Sequence, residues 1–304
     1  MIKRIKRILR NPSRILEYLI GQRCISRFFC DKTYISLKYR LVFGKKLDLE
    51  NPKTYNEKLQ WLKLYNRKDE YTTMVDKFAV REYVANKIGE EYLIPSLGVW
   101  DNPEDINFDE LPDEFVLKCN HNSGVGMCIC KDKSKLDIEK VKKELKKGLE
   151  QDYYMTNREW PYKNVPRKII AEKFMVDESG TELKDYKFFC FDGKPHFLFI
   201  ATDRNTPGEE TKFDFFDMDF NHLDFTNGHP NSDKTIEKPK GFEEMKELAC
   251  KLSEGLPHAR IDFYDINGQV YFGEITFFHW SGIVPFNPEE WDYKFGELIN
   301  LKTE

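Results

Sequence analysis

The chain has 304 residues, enough for two domains or one large one. Its 52 acidic and 48 basic side chains nearly balance, and a net charge of −4 excludes the global basic footprint of a nucleic-acid binder. No apolar run approaches the roughly 20 residues that span a bilayer, no signal-peptide core with a cleavage site occurs, and seven cysteines without a C-x-x-C spacing suggest neither a disulfide framework nor a zinc site but reduced thiols in a cytoplasmic protein.

Residues 1–30 carry Lys3, Arg4, Lys6, Arg7, Arg10, Arg14, Arg23 and Arg27 against one acid, Glu17. Ile2, Ile5, Ile8, Leu9, Ile15, Leu16, Leu19 and Ile20 recur at helical spacing around Pro12. Such a basic amphipathic helix either lies on an anionic membrane surface or packs its apolar stripe on the body of the protein. Residues 48–68 predict a helix starting near Glu57, capped by Thr54 or Asn56, and complete a helical extension over 1–68. Residues 70–89 predict one further helix ending at Gly89, with Asp76-Lys77 near its start. FVLK, 115–118, reads as a strand ending in Lys118. The turn after it, Asn122-Ser123-Gly124-Val125-Gly126, is of a kind that offers backbone N–H groups to a phosphate, although two-glycine turns also occur in ordinary hairpins. Asp137 caps a lysine-rich surface helix, and residues 157–162 form a loop dense in functional side-chain types without a catalytic spacing.

A strand over 168–175 carries Glu172-Lys173 near its end, and DYKFFCF, 185–191, begins the next. The turn-rich region 205–241 contains Phe213, Phe215, Phe216, Phe220 and Phe225 and reads as a cover over a site. Of six scattered histidines only His279, at the end of the last hairpin, is placed to meet a substrate. That hairpin, 259–278, is the most informative stretch. A three-residue loop, Ile266-Asn267-Gly268, pairs Asp265 with Gln269 and sets Arg260 opposite Glu274. One face then shows Arg260, Asp262, Glu274 and Thr276. Two hard oxygen donors beside a cation suit Mg²⁺ carrying a phosphate, or an arginine–carboxylate pair on a solvated face. A two-residue Asn267-Gly268 turn would instead split the carboxylates between the two faces.

The order of these features resembles the ATP-grasp superfamily, with spacing like that of D-alanine–D-alanine ligases. The span from about residue 55 to 286, with NPKTYNEKLQWLKLYNR, VDKFAVREYV, FVLKCNHNSG, REWPYKN, DYKFFCFDGKP and GEITFF, resembles the TupA-like (teichuronopeptide-biosynthesis) ATP-grasp family. The resemblance implies an α+β fold in which two subdomains, 69–170 and 171–304, grip ATP between antiparallel sheets. It also implies an ATP- and Mg²⁺-dependent carboxylate–amine ligase in cell-surface polysaccharide biosynthesis, its substrates small molecules or polymers, lipid-linked ones included. A glycosyltransferase-like enzyme and an ATP-binding module without ligase activity are the alternatives. Lys77 and Lys118 would neutralise the ATP phosphates, and Ser123, Gly124 and Gly126 would cover them. Glu172 and Lys173 would form the hinge beside adenine, and Asp185 would bind ribose. Lys187 and Arg204 would face the phosphate or acceptor. Asp262, Glu274 and Thr276 would hold metal, with Thr276 where the family has an asparagine, and Arg260 would stabilise developing negative charge.

Overall fold

The computed structural model describes residues 12–177, 183–204 and 208–301. The basic segment of residues 1–11 lies outside them.

The first sheet contains β1 (Ser96–Trp100), β2 (Phe115–Cys119), β3 (Met127–Cys130) and β4 (Ile169–Lys173), in the antiparallel order β1-β4-β2-β3. Alternation along β2 buries Phe115, Leu117 and Cys119. Phe115 and Leu117 pack with Ile169 and Ala171 against Val141 and Leu145 of the helix Ile138–Glu150. The opposite face presents Val116 and Lys118, paired across strands with Glu172, Ile129 and Met127. Residues 170 and 171, the expected subdomain boundary, both lie inside β4, whose two partners belong to this sheet, so the sheet boundary follows Lys173.

The second sheet contains β5 (Asp185–Phe191), β6 (Lys194–Thr202), β7 (Lys212–Asp217), β8 (His222–Leu223), β10 (His258–Ile266) and β11 (Gln269–Thr276), in the order β11-β10-β5-β6-β7-β8. Two short strands, β9 (Thr226–Asn227) and β12 (Phe286–Asn287), pair separately. The helix Phe242–Ser253 packs on the back of β5, β6 and β10. Its Phe242 ring lies 6.0 Å from Phe188. Burial of these aromatic faces is the main stabilising term, at roughly 25 cal/mol per Å² of apolar surface. Phe213, Phe215 and Phe216 belong to β7 and are buried with Phe225 in this core, so they do not form the expected cover. Four successive buried residues, 213–216, mark a strand with both faces covered.

The helix Tyr55–Tyr65 starts with a capping box: Thr54 Oγ1 accepts from the Glu57 N–H at 3.2 Å, and Glu57 Oε2 accepts from the Thr54 N–H at 3.1 Å. Its Tyr55 ring is enclosed by Phe189, Phe191, His258, Phe286 and Phe295, so this helix is part of the main core. Further out, the helix Pro12–Gly21 packs on the helix Asp31–Phe43 and buries Ile20, while Leu16, Tyr18, Leu19, Ile25 and Phe28 are exposed. Among the described residues no helix is long and apolar enough to cross a membrane.

Candidate active site

A cleft of about 450 Å³ separates the two sheets. Val116, Lys118, Met127 and Ile129 line one side, Arg204, Tyr264 and Phe272 the other, and Glu172 to Asp177 close one end.

The floor is the β10–β11 hairpin, whose turn differs from expectation. Asn267 and Gly268 both have positive φ, 58° and 93°, and Ile266 pairs with Gln269, which makes a two-residue turn. That turn alone would place Asp262 and Glu274 on opposite faces. A bulge repairs the register: Phe263 pairs with Phe272 but Asp262 pairs with Glu274, leaving Gly273 extra. Arg260 therefore faces Thr276 and not Glu274, and all four side chains share one face after all. A Cβ on Gly273 would lie 3.0 Å from the Asp262 carbonyl oxygen, so the close approach favours glycine there.

Arg260 grips Asp262 with two hydrogen bonds, Nε to Oδ1 and Nη2 to Oδ2, both 2.7 Å. Nη2 also reaches Glu274 Oε1 at 3.2 Å and Thr276 Oγ1 at 3.1 Å. Lys187, opposite Asp262 on β5, donates to Asp262 Oδ2 and lies 3.6 Å from Asp185. Arg204 completes the row with a hydrogen bond to Asp185. Asp185, expected at the ribose, thus sits in the ion network of the floor. Burial raises the Glu274 carboxyl, but Lys77, Lys187, Arg260 and Lys118 outweigh it and hold it at about 2.

Lys77 reaches this floor because the helix expected over 70–89 is broken. Helices Glu70–Val75 and Val80–Ile88 flank a gap in which Asp76 Oδ1 accepts from the N–H groups of Phe78 and Ala79, at 2.8 and 3.3 Å. Asn120, just after β2, donates to the same oxygen at 2.7 Å. The Lys77 ammonium then lies 2.8 Å from the Asn122 carbonyl oxygen and 3.9 Å from Glu274. Burial, with Lys118 assisting, lowers its pKa, and Glu274 opposes this. Lys118 is bonded to Glu172 at 2.6 Å.

The glycine-rich turn is anchored at one end. Gly126, φ +69°, rests on the helix behind it, where an added Cβ would lie 2.7 Å from Gly148 Cα. Ser123 and Gly124 are exposed, and Gly124, φ +80°, has open space around it. At the hinge Glu172 is turned to Lys118, and the Lys173 N–H is bonded to Pro95 O at 3.0 Å.

His279, expected to meet a substrate, is buried beneath Arg260: its Nδ1 lies 2.8 Å from Arg260 Nη1 and its Nε2 3.0 Å from Asn227 Oδ1. Burial first, then Arg260, keeps the imidazole neutral, far below its usual pKa. Sequence reasoning also passed over a second buried group. Ser281 donates to Glu159 Oε1, and Lys63, lowered to about 7 by burial, donates to Ser281 Oγ at 3.1 Å. Its only outward sign was the concentration of polar types in REWPYKN.

The donors expected for Mg²⁺ differ in access: both Asp262 oxygens are bonded to Arg260 or Lys187, Thr276 Oγ1 accepts from Arg260, and among the described residues no three carboxylate, histidine or cysteine side chains are grouped to hold a metal. Glu274 is ionised, and its side chain is 35% exposed. Cations Lys77, Lys118, Lys187, Arg204 and Arg260 exceed carboxylates Glu172, Asp185, Asp262 and Glu274 by one. A triphosphate of charge about −4 at such a site is held far better with a divalent cation.

The family profile described as TupA-like ATPgrasp matches residues 57–300. The chain belongs to the TupA-like ATP-grasp family. The two facing antiparallel sheets with their covering helices are accordingly an α+β ATP-grasp fold. Similar solved structures include the D-alanine–D-alanine ligase from Bacillus anthracis complexed with ATP, at 18% identity, 67% of this chain, 53% of that chain and a TM-score of 0.40. The D-alanine–D-alanine ligase from Helicobacter pylori shares 16% identity over 82% of this TupA-like chain and 70% of its own, with a TM-score of 0.43. The ATP-grasp ligase PsnB complexed with its minimal precursor shares 10% over 90% and 67%, with a TM-score of 0.41. The chain thus spans about half the length of the first of these ligases. No curated protein matches it.

Proposed function

We propose that this TupA-like protein is an ATP- and Mg²⁺-dependent ligase joining a carboxylate to an amine through an acyl phosphate. The observation that carries the reading is the convergence of Lys77, Lys118, Arg260, Asp262 and Glu274 beside one cleft that Val116, Met127 and Ile129 also line with apolar surface. Adenine would lie between Val116, Ile129 and Phe174, with the phosphates toward Lys77 and Lys118. Glu274 would hold Mg²⁺, with Asp262 and the weaker Thr276 hydroxyl, both bonded to Arg260, as further donors, and the ion would supply charge neutralisation to the phosphates. A carboxylate oxygen of the donor attacks the γ-phosphorus, the bond to the β-phosphate oxygen breaks, and ADP leaves. The amine then attacks the acyl carbon, loses a proton and expels phosphate. Lysines and Arg260 align and neutralise, so no protein nucleophile is required.

The motif resemblance supports a setting in cell-surface polysaccharide or peptide–sugar biosynthesis. Contact with the inner face of the plasma membrane is supported by the exposed Leu16, Leu19 and Phe28 beside the basic residues 1–30. A sugar-nucleotide reading finds no support at its one D-x-D spacing, because Asp217 is occupied by hydrogen bonds from the Asp219 and Asn221 N–H groups at 2.9 and 2.8 Å.

With MgATP, a panel of acidic sugars and a panel of amines, ADP release requiring both partners is expected, and Lys118→Ala should abolish it. Turnover of a sugar nucleotide without ATP would overturn the ligase reading, and nucleotide binding without any turnover would leave a binding module. Deleting residues 1–30 should weaken sedimentation with phosphatidylserine vesicles; equal sedimentation would rule out the membrane contact.

A further inference from the structure

We infer that His279 is a positioning residue for Arg260, and that the turn carrying it is held in place by the helix Tyr55–Tyr65. The inference rests on the reading above, in which Arg260 helps align and neutralise the phosphoryl group that is transferred.

The guanidinium is fixed along one edge by Asp262, Glu274 and Thr276. Those bonds leave Nη1, the opposite corner, free to be set by another group. His279 Nδ1 takes it at 2.8 Å. It can accept there only if its ring proton is on Nε2. The next link supplies the reason for that tautomer. Asn227 Nδ2 donates to the carbonyl oxygens of Val284 and Pro285, at 3.1 and 3.2 Å, so its amide oxygen is the atom facing His279 Nε2 at 3.0 Å. Donation therefore runs one way, from Arg260 to His279 and from His279 to Asn227. The ring is also confined sterically, edge-on to Phe189 at 4.9 Å and beside Phe199 at 5.3 Å. Phe199 lies under the same guanidinium at 5.7 Å.

The backbone after His279 is unusual. Trp280, Ser281 and Gly282 have φ of 47°, 58° and 60°, and two of them are not glycine. Each such residue costs about 1–2 kcal/mol, and the conformation persists only where its surroundings over-determine it. Here the helix Tyr55–Tyr65 does so. Gln60 Nε2 donates to the carbonyl oxygens of Ser281 and Gly282 at 3.0 and 2.7 Å, and Lys63 donates to the Ser281 carbonyl oxygen at 2.8 Å. A Cβ on Gly282 would fall 2.4 Å from Gln60 Nε2. A helix far from the hairpin in sequence thus fixes the turn that fixes the arginine.

The test compares His279→Leu, which removes the acceptor, with His279→Asn, whose amide oxygen can stand where Nδ1 stands. Calorimetric titrations use Mg²⁺ with ADP and with the β,γ-imido analogue of ATP. A charge-assisted hydrogen bond predicts that His279→Leu weakens the triphosphate analogue about tenfold or more with little change for ADP, and that His279→Asn recovers most of the loss. A folded His279→Leu that keeps the wild-type ratio of triphosphate to diphosphate affinity overturns the inference, because a merely structural role would lower stability without changing that ratio. The unsubstituted protein gives a second, independent readout: ¹⁵N spectra of labelled histidine at pH 7 should show His279 protonated on Nε2 with Nδ1 bare. A proton on Nδ1 overturns the inference even if His279→Leu fails to fold. If the wild type binds no triphosphate, the ligase reading falls, and the tautomer measurement still decides the role of His279.

Discussion

On the floor of the cleft Arg260, Asp262, Glu274, Lys187 and Asp185 are bonded to one another by strand register, whereas across from them Ser123 and Gly124 stand on a turn secured mainly at its base. The floor's side chains are nearly all buried and hold one geometry before any ligand arrives. The turn keeps an exposed tip. A site for a polyphosphate gains from both properties: preorganised charge lowers the reorganisation needed during transfer, and a loose cover admits the nucleotide and then excludes water. Lys77 joins the two parts, lying near both the Asn122 carbonyl and Glu274.

The comparison is broken most directly at Arg260. Asp262 is 1% exposed, and Arg260→Met would leave it with Lys187 as its remaining cation. Removing one partner of a buried pair costs roughly 3–5 kcal/mol. Urea unfolding should show a loss of that size, and adding Asp262→Leu should return a large part of it. A loss below about 1 kcal/mol, the value of a surface pair, would mean that the floor is not preorganised by this interaction.

The turn offers an internal contrast. Gly124→Ala meets only the strain of φ +80°, about 1 kcal/mol, since nothing lies within 4 Å of the new Cβ. Gly126→Ala meets similar strain at φ +69° and also backbone overlap with Gly148. Its destabilisation in the same urea assay should be at least twice that of Gly124→Ala. Equal losses would show that the base is as loose as the tip.

The same contrast explains which parts were legible in the sequence. β2, β4, β5 and the terminal hairpin follow from alternation, turn residues and strand length, which are local properties. The capped helix Tyr55–Tyr65 announces itself through Thr54 and Glu57. What was not legible depends on distant partners. The break at Asp76 needs Asn120, 44 positions away. The bulge at Gly273 has no composition signal, and two departures from expectation, a shorter turn and an extra residue, cancelled to leave the carboxylates on one face. Phe213, Phe215 and Phe216 looked like a cover because a strand buried on both faces has no polar alternation to reveal it. His279 looked available to a substrate because nothing local shows that Arg260 and Asn227 enclose it.

Glu274 carries the smallest predicted effect and bears most closely on the junction between floor and turn. Its carboxyl is held near 2 against an ordinary 4.5 by the four surrounding cations. A depressed carboxylate contributes stability that is present above the unfolded value, so this contribution should be lost as pH falls from about 4.5 to about 2. The side chain is about one third exposed, and solvent screening reduces the nominal gain to on the order of 1 kcal/mol. Glu274→Gln should flatten that acid limb and lower the thermal midpoint at pH 7 by a few degrees, since Lys77, Lys187, Arg260 and Lys118 lose a shared anion. The difference from wild type should shrink in 0.5 M salt, where the screening length falls to about 4 Å. Coincident acid limbs for the two proteins at low salt would mean that Glu274 is not the anion that draws Lys77 to the floor, and Lys77 would then be tied to the turn through the Asn122 carbonyl without joining it to the floor.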